Sequence, residues 1–384
     1  MFEKWPTPFG LVRFGVAPDH PEVKAVTSDF HKVAENIKFY GNTEVGRDVS
    51  LDALRDAYDG VVIACGASVE RKLRIPGENL EGVFHARKFV GWYNGEPLQN
   101  VEMPQNPDVV IIGHGNVALD CARVLKTDLS NTDASRSAVP KLGTANRVSV
   151  VGRRGATQAA FTIKELREIA PITGLDRSEF GDTEASLREL EISKPKKRKR
   201  ELLESLQGSE IRLRFLLKPV EFRGKGRVES VLFEKCELEG EPGRQIAVGA
   251  GTFEEIPANL VLCAIGYLSN VPGFGIVPRL DHVGGRVVGH PRLYCAGWCK
   301  RGPSGIVGTN VADAKETVAS ILEDLEGGGN DTTPAKFIQL PASSTTWDDW
   351  LRIDRHERDL GSEIGAPRVK LVDISDMLRV ARHT

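Results

Sequence analysis

No apolar run in the 384-residue sequence approaches the ~18 residues a membrane-spanning helix needs, so a spanning segment is excluded. Net charge is nearly absent too. The 51 basic and 53 acidic residues leave −2, which gives no reason to expect a nucleic-acid binder. Cysteine is sparse: the six are Cys65, Cys121, Cys236, Cys263, Cys295 and Cys299. None are spaced CxxC, which argues against a dithiol redox centre or a zinc knuckle, and no metal site is expected. Several sit in apolar runs such as Val261-Leu262-Cys263-Ala264-Ile265, where a reduced thiol acts as a small core residue. Met1-Phe2-Glu3-Lys4-Trp5-Pro6 carries neither a signal peptide nor an Arg-rich transit segment. It reads as the last residues of a strand, cut off from whatever precedes it.

What the sequence has in excess is glycine. Its 39 glycines are about a tenth of the chain, which points to tight turns or close backbone-to-ligand approaches. Hydrophobic residues at 40% and charged residues at 27% exclude wholesale disorder, and the length suits two to three domains. Residues 1–105 read as mixed α/β, with a helical stretch around Pro21–Ile37. The run Gly60-Val61-Val62-Ile63-Ala64, closed by Cys65-Gly66, suits a fully buried parallel strand. Pro104 and Pro107 mark a boundary. A βαβ unit follows: strand Val109–Ile112, glycine turn, helix Val117–Lys126, polar insertion Thr127–Asn146 and strand Val148–Val151. Further strands are expected around Arg212–Leu217, Arg227–Phe233 and Asn259–Ile265, and a helix over Val311–Leu325. Gly327-Gly328-Gly329 reads as a flexible break.

The chemistry begins at Gly113-His114-Gly115-Asn116-Val117-Ala118, a G-x-G-x-x-A between strand and helix. Gly113 permits the tight turn, Gly115 lets a pyrophosphate approach the backbone, and Ala118 lets helix and strand pack closely. The helix start offers free N–H groups and a positive dipole end to the phosphates. Alone the motif is weak, since glycine turns between strand and helix are common. The end of the next strand adds to it. Where an NAD site places an acid for the ribose 2′-hydroxyl, this chain has Gly152-Arg153-Arg154. Two guanidinium groups suit a 2′-phosphate by charge and by bidentate geometry, so NADP is expected over NAD. The plainer alternative is a solvated arginine pair after a strand. Glu3, an acid at a strand end near Pro6 and Gly10, would suit the ribose of another dinucleotide; taken alone it is a surface carboxylate.

The segment Pro8-Phe9-Gly10-Leu11-Val12-Arg13-Phe14-Gly15-Val16-Ala17-Pro18-Asp19-His20-Pro21 resembles the signature of the adrenodoxin reductase family. The likeness continues through Gly41-Asn42, Glu44-Val45-Gly46, Ile75-Pro76-Gly77-Glu78 and Phe89–Gly95. It runs on through Gly115–Asp120, Val151–Gly155, Phe161–Glu168, Gly297-Trp298, Lys300–Gly305 and Arg368–Val372, in collinear order over almost the whole chain. These are FAD-containing NADPH:ferredoxin oxidoreductases that feed electrons to [2Fe–2S] ferredoxins. The resemblance implies an α/β fold of two Rossmann-like, three-layer nucleotide-binding domains. An FAD-type domain would be split between residues 1–106 and 290–384, with an NADP domain at 107–289.

By that resemblance Glu3 holds the FAD adenosine ribose, with Leu11 and Val45 lining the same nucleotide. Gly297-Trp298 is the later flavin segment, and Gly305, Ile306 and Val307 reach the isoalloxazine edge, Gly305 also contacting NADP. Gly113, His114, Gly115, Asn116 and Val117 form the NADP pyrophosphate loop, His114 standing where the family often has Gln. Arg153 and Arg154 clamp the 2′-phosphate and Glu165 adds a contact. His20 and Asp120 match a pair beside the flavin, able to stabilise charge as hydride arrives; their bland readings are a turn histidine and a first-turn helix acid. The basic block Lys194–Arg200, through Lys194, Lys196, Arg198 and Arg200 with Arg167, matches the surface that docks an acidic ferredoxin, although such a run is usually a solvated helix face.

Against the family pattern, the chain starts at the end of the first βαβ unit's second strand. The expectation is therefore an N-terminally truncated member that binds NADP but holds FAD poorly, with activity impaired. Its rivals are a flavin–disulfide reductase, a glutamate-synthase-type electron-transfer subunit, and an NADP-binding remnant or partner-binding protein without flavin. Lack of CxxC weighs against the first and lack of cysteine-rich iron–sulfur spacing against the second. A monomer in the mitochondrial matrix is expected, or in the cytoplasm if the source is bacterial.

Overall fold

Short β-branched runs closed by glycine become the strands of this chain. Val109-Val110-Ile111-Ile112, too short for a helix and stopped by Gly113, forms the strand Asp108–Ile112 inside a six-stranded sheet. The computed structural model describes residues 1–34, 36–305, 308–327 and 337–382. The sheet order is Val83–His85, Leu260–Cys263, Asp108–Ile112, Arg147–Val151, Ile211–Arg214 and Thr173–Leu175. Every pairing in it is parallel, and Ile111 lies between Leu262 and Val150.

A parallel sheet must be covered on both faces. One face carries Val109, Ile111, Val148, Val150, Leu260 and Leu262 into a core with the helices Ala86–Tyr93, Asn116–Val124 and Ile163–Ile169. From the other face Val110, Ile112, Val151 and Val261 meet the antiparallel sheet Leu217–Arg223, Ser230–Glu239 and Ile246–Pro257. Three layers result.

A second, smaller sheet pairs Val61–Ile63 in parallel with Leu293–Cys295 and continues antiparallel through Arg286–Val287 to His282–Val283. Helix Thr309–Gly327 lies against it, and Ile63, Val271, Leu280, Val287, Leu293, Cys295 and Cys299 form its core. Tyr267–Val271 pairs with both Gly275–Val277 and Val69–Glu70. Helices Trp347–Ser362 and Ile374–Arg382 enclose Trp350, Ile353, Met377 and Ala381 against Phe9.

Several expectations are revised. The strand Val61–Ile63 is not fully buried: among the described residues it pairs on one edge only, and Val62 is 46% exposed. The stretch Pro21–Ile37 is not one helix but two, Pro21–Lys24 and Thr27–Ala34. The strand expected at Arg212–Leu217 breaks where Leu216 takes a left-handed φ of 57°, and its two halves join different sheets. Val83–His85 and Ala86–Tyr93, which precede the expected division at 106/107, pack with the six-stranded sheet. The strands His282–Val283 and Arg286–Val287, which precede 290, pack with the smaller one. Proline positions mark where helices stop; they do not reveal which sheet a short strand pairs with. Of the break expected at Gly327–Gly329, Gly328 and Gly329 lie outside the described residues.

Candidate dinucleotide site

Gly113 adopts φ +122°, and a Cβ there would sit 2.3 Å from the carbonyl oxygen of Ala264, just past the neighbouring strand, so only glycine fits. Gly115 is different. A Cβ added to it meets nothing within 4 Å, so the fold itself does not require glycine there, whereas a phosphate approaching the backbone does. The N–H groups of Gly115, Asn116 and Val117 find no acceptor among the described residues, at the start of the nine-residue helix Asn116–Val124. Together these form an open cradle with free donors at a positive helix end, which fits a pyrophosphate.

His114 turns the other way. Its ring packs 4.7 Å from Phe215 and 5.9 Å from Phe161, and Nε2 lies 3.1 Å from the Val150 carbonyl. Gly152 accommodates it, since a Cβ at that position would lie 2.3 Å from His114 Nδ1. Burial pushes the imidazole down to about 4, so at neutral pH it is uncharged and Nε2–H donates to Val150. Only the backbone of His114 is offered to a ligand. Asn116 Oδ1 accepts the Thr162 N–H at 2.8 Å, and the His114 carbonyl accepts from Ala160 and Phe161, tying the loop to the segment that leads into helix Ile163–Ile169.

Arg153 and Arg154 follow the strand Arg147–Val151, are exposed, and make no ion pair among the described residues. Two free guanidinium groups at the carboxyl end of a strand beside the cradle suit a phosphomonoester. Lys199 lies behind them, buried, its Nζ donating to the Ala159 carbonyl and its charge destabilised by burial and by Lys196 and Arg154, which hold its pKa at about 8. Glu165 is half-buried, and its Oε2 has no hydrogen-bond partner.

The residues 19–20 meet the helix Asn116–Val124 at Arg123. Its Nε donates to Asp19 Oδ2 at 2.7 Å, one Nη donates to Glu168 at 2.8 Å and is ion-paired with Asp120 at 2.9 Å, and the other Nη donates to His20 Nε2 at 2.7 Å. Burial works against the guanidinium charge, but the bond to Asp19 and the nearby Asp120 overcome it and raise its pKa. Asp120 is pushed up by burial, with Arg123 opposing. Asp19 is also penalised by burial, yet Arg123 holds it below the ordinary carboxylate range. His20 therefore faces Glu168 at 3.2 Å and Glu22 at 3.1 Å, while its polar atoms and those of Asp120 and Glu168 lie within 4.8 Å of one another. These three are metal-ligand types, but the Arg123 guanidinium already hydrogen-bonds His20 and Glu168 and is ion-paired with Asp120. Sequence reasoning assigned no role to Arg123, Asp19 or Glu168. Arg123 stands three positions after Asp120 on one helix, the spacing of an ion pair, which is the signal that was available.

Two further open backbone faces lie where the smaller sheet's parallel strands end. Gly66 and Gly297 follow Val61–Ile63 and Leu293–Cys295, and at both a Cβ would meet nothing within 4 Å. Ligands in α/β folds bind at such carboxyl ends, so these two open backbone faces fit a dinucleotide. The Gly297 N–H is held by Asp313 Oδ2 at 2.5 Å, and Trp298 stacks on Tyr267 with centroids 6.0 Å apart and planes at 18°. Glu3 is pinned by backbone bonds to Tyr40 and Thr43, and Trp5 N–H donates to its carboxylate at 3.1 Å. Burial raises the Glu3 pKa. Leu11 is exposed on helix Gly10–Phe14, and Val45 lies half-buried in a turn bridged to Val49. Gly305 precedes helix Thr309–Gly327, whereas Ile306 and Val307 lie outside the described residues.

The basic block forms helix Lys194–Ser205. Lys196 is paired with Glu189, and Arg200 with Asp182 and Glu204. Lys194, Lys197, Arg198 and Arg167 are exposed.

Open glycine backbone at the carboxyl ends of parallel strands, on two separate sheets, marks a two-domain Rossmann-type dinucleotide-binding oxidoreductase fold. No family model matches the chain. It is 41% identical to the human mitochondrial NADPH:adrenodoxin oxidoreductase, the alignment covering 100% of this chain and 87% of that protein. The corresponding Arabidopsis thaliana protein is 40% identical over 100% of this chain and 90% of its own length. Among solved structures, Mycobacterium tuberculosis FprA in complex with NADPH superposes with a TM-score of 0.91 at 37% identity, covering 100% of this chain and 92% of that one. The chain belongs to the NADPH:adrenodoxin oxidoreductase family.

Proposed function

We propose that this chain is an NADPH:ferredoxin oxidoreductase that uses FAD to relay electrons from NADPH to a [2Fe–2S] ferredoxin of the adrenodoxin type. The observation that carries the reading is the unpaired Arg153–Arg154 couple beside the open Gly115 cradle, in a chain whose relatives are NADPH-linked ferredoxin and adrenodoxin reductases. The cradle N–H groups of Gly115, Asn116 and Val117 would hold the NADPH pyrophosphate, Arg153 and Arg154 its 2′-phosphate, and Glu165 a further polar group. Gly66, Gly297 and Trp298 would line the flavin crevice, with Glu3, Leu11 and Val45 around its adenosine and Gly305 at the ring edge. When bound, FAD supplies the conversion of a two-electron hydride into single electrons.

His20 is held for proton work by its surroundings. Arg123 donates to its Nε2, and its Nδ1 faces Glu22. Glu168 lies 3.2 Å from the same Nε2. Asp120, whose ionisation burial disfavours, adds a carboxyl to the same cluster. Ferredoxin would dock on the exposed cations Lys194, Arg198 and Arg167, with Lys196 and Arg200 partly neutralised by their own carboxylates; such a surface gives salt-sensitive association. The chain would act as a monomer, in the mitochondrial matrix if eukaryotic, as relatives named mitochondrial suggest, or in the cytoplasm of a bacterium.

The test is reduction of cytochrome c by the purified chain with FAD supplied, comparing NADPH with NADH and ferredoxin present with ferredoxin omitted. Turnover that needs ferredoxin and prefers NADPH supports the reading. NADPH binding without turnover under any flavin supply refutes it and favours an NADP-binding protein without redox activity.

A further inference from the structure

The basic helix Lys194–Ser205 buries two side chains, Lys199 and Leu203, four residues apart and therefore on one face. Leu203 joins the core that holds Ala156, Ala159 and Phe161. Lys199 stands one turn before it, where such a face would ordinarily carry an apolar residue. A buried ammonium is costly unless something answers its charge. Here its Nζ donates to the Ala159 carbonyl and sits 5.4 Å from the centre of the Phe161 ring, a cation–π distance. No carboxylate is ion-paired with it among the described residues.

Both partners of Lys199 belong to the segment that holds the pyrophosphate-binding turn in place. Ala159 closes the short turn Ala156–Gln158, which follows Arg153, Arg154 and Gly155. The next three residues then donate in succession to that binding turn. The N–H groups of Ala160 and Phe161 both reach the His114 carbonyl at 2.8 Å, and the Thr162 N–H reaches Asn116 Oδ1 at 2.8 Å. The Phe161 ring also meets the His114 imidazole edge-on, with centroids 5.9 Å apart. A continuous path therefore runs from the inner face of the basic helix, through residues 159–162, to the turn 113–117.

The geometry points to Lys199 as a positioning residue of the dinucleotide site: it fixes segment 159–162 and, through that segment, the aim of the N–H groups of Gly115, Asn116 and Val117. The inference rests on the proposed function for the identity of the ligand those groups hold. Lys199 acts through backbone and not on the nucleotide, so its effect falls on the pyrophosphate and spares the 2′-phosphate, which Arg153 and Arg154 bind. One helix thus serves two ends. Lys194 and Arg198 face solvent on its outer side, whereas Lys199 braces the cofactor turn from its inner side.

The test compares two ligands that share the 2′-phosphate and differ in the pyrophosphate. The full chain is titrated calorimetrically with NADP+ and, separately, with adenosine 2′-monophosphate. Lys199→Met keeps the length of the side chain and removes the donor and the charge; Lys199→Gln is too short to reach the Ala159 carbonyl and serves as an independent second removal. In both, Kd for NADP+ is expected to rise roughly three- to tenfold, the scale of one net hydrogen bond. Kd for adenosine 2′-monophosphate should stay at the wild-type value, which also shows that the variants are folded. Lys199→Arg, able both to donate to a carbonyl and to stack on an aromatic ring, should restore NADP+ affinity. Equal losses for the two ligands would overturn the proposal by placing Lys199 at the 2′-phosphate or in the general fold. Unchanged NADP+ affinity in both removals overturns it as well, as does a loss that arginine does not reverse. A wild-type chain that fails to bind NADP+ refutes the proposed function instead, so the two failures are distinguishable.

Discussion

Arg123 Nε reaches Asp19 Oδ2 at 2.7 Å across 104 residues of sequence, joining the loop after helix Gly10–Phe14 to a helix of the six-stranded sheet. The guanidinium also bonds His20, Asp120 and Glu168 while remaining only 8% exposed. Its planar fork answers several partners at once, which a lysine ammonium cannot do.

Removing it strands charge. Arg123→Met leaves Asp19, Asp120 and Glu168 facing one another without the buried cation they share, and breaking a buried pair costs about 3–5 kcal/mol. Urea unfolding is expected to show a loss in that range with an unchanged slope, and Arg123→Lys a smaller one. In the wild type, Asp19 is depressed in the folded state, so its contribution is present above the unfolded value near ~3.9 and fades as pH falls through the lower folded value.

The two arginines after Val151 are expected to act on ligand and not on fold. Arg153→Ala and Arg154→Ala remove exposed, unpaired side chains, so melting temperature should stay within experimental scatter. Each loses a charge-assisted bond to the 2′-phosphate, worth about 1.5–3 kcal/mol. In steady-state kinetics KM for NADPH should rise by roughly ten- to a hundredfold per substitution, with NADH nearly unaffected. Equal losses for both nucleotides would remove these residues from cofactor choice.

The expectations that succeeded were local. The strands at Val109–Ile112 and Val148–Val151 and the turn at Gly113 follow from apolar runs stopped by glycine, a signal carried in five or six adjacent residues. What was not legible depends on pairing across long separations. Arg123, Glu168 and Asp19 are charges on three elements whose convergence only the packed helices create. Val62 is apolar but lies on a strand paired on one side among the described residues. The direction of the His114 ring, inward under its loop, depends on Gly152 and Phe215 from the neighbouring strands.

Gly113 and Gly115 are two residues apart and should respond oppositely to alanine. At Gly113 the added methyl meets the Ala264 carbonyl at 2.3 Å on a backbone of positive φ, so Gly113→Ala should unfold at lower denaturant. At Gly115 the methyl enters open space, so stability should hold or rise by about 0.4–1 kcal/mol through a less flexible unfolded chain. NADPH affinity should nevertheless fall, because the methyl occupies the pyrophosphate's approach. Calorimetric titration of Gly115→Ala showing wild-type affinity would place the phosphates elsewhere.

Lys370 sets a pH dependence of its own. Fully buried, its Nζ donates to the Arg13 carbonyl at 2.9 Å and pairs with Asp133 at 3.0 Å, while Lys24 holds the other Asp133 oxygen at 2.6 Å. Burial lowers the Lys370 pKa to about 7 despite Asp133, whose own carboxyl is held near 2, against its burial, by Lys370 and Lys24. An unfolded lysine titrates near ~10.4, so between about pH 7 and that value the unfolded chain binds the extra proton. Stability from this group therefore rises with pH across that window, by up to about 1.4 kcal/mol per pH unit for one whole proton, and levels off below pH 7, where both states are charged. Lys370→Met should flatten the slope between pH 7 and 9 in urea midpoints, since the side chain keeps its length and loses its titration. The Asp133–Lys24 pair remains in that variant, so its acid limb near pH 2–4 should persist. Identical slopes for wild type and variant above pH 7 would show that Lys370 stays charged in the folded chain.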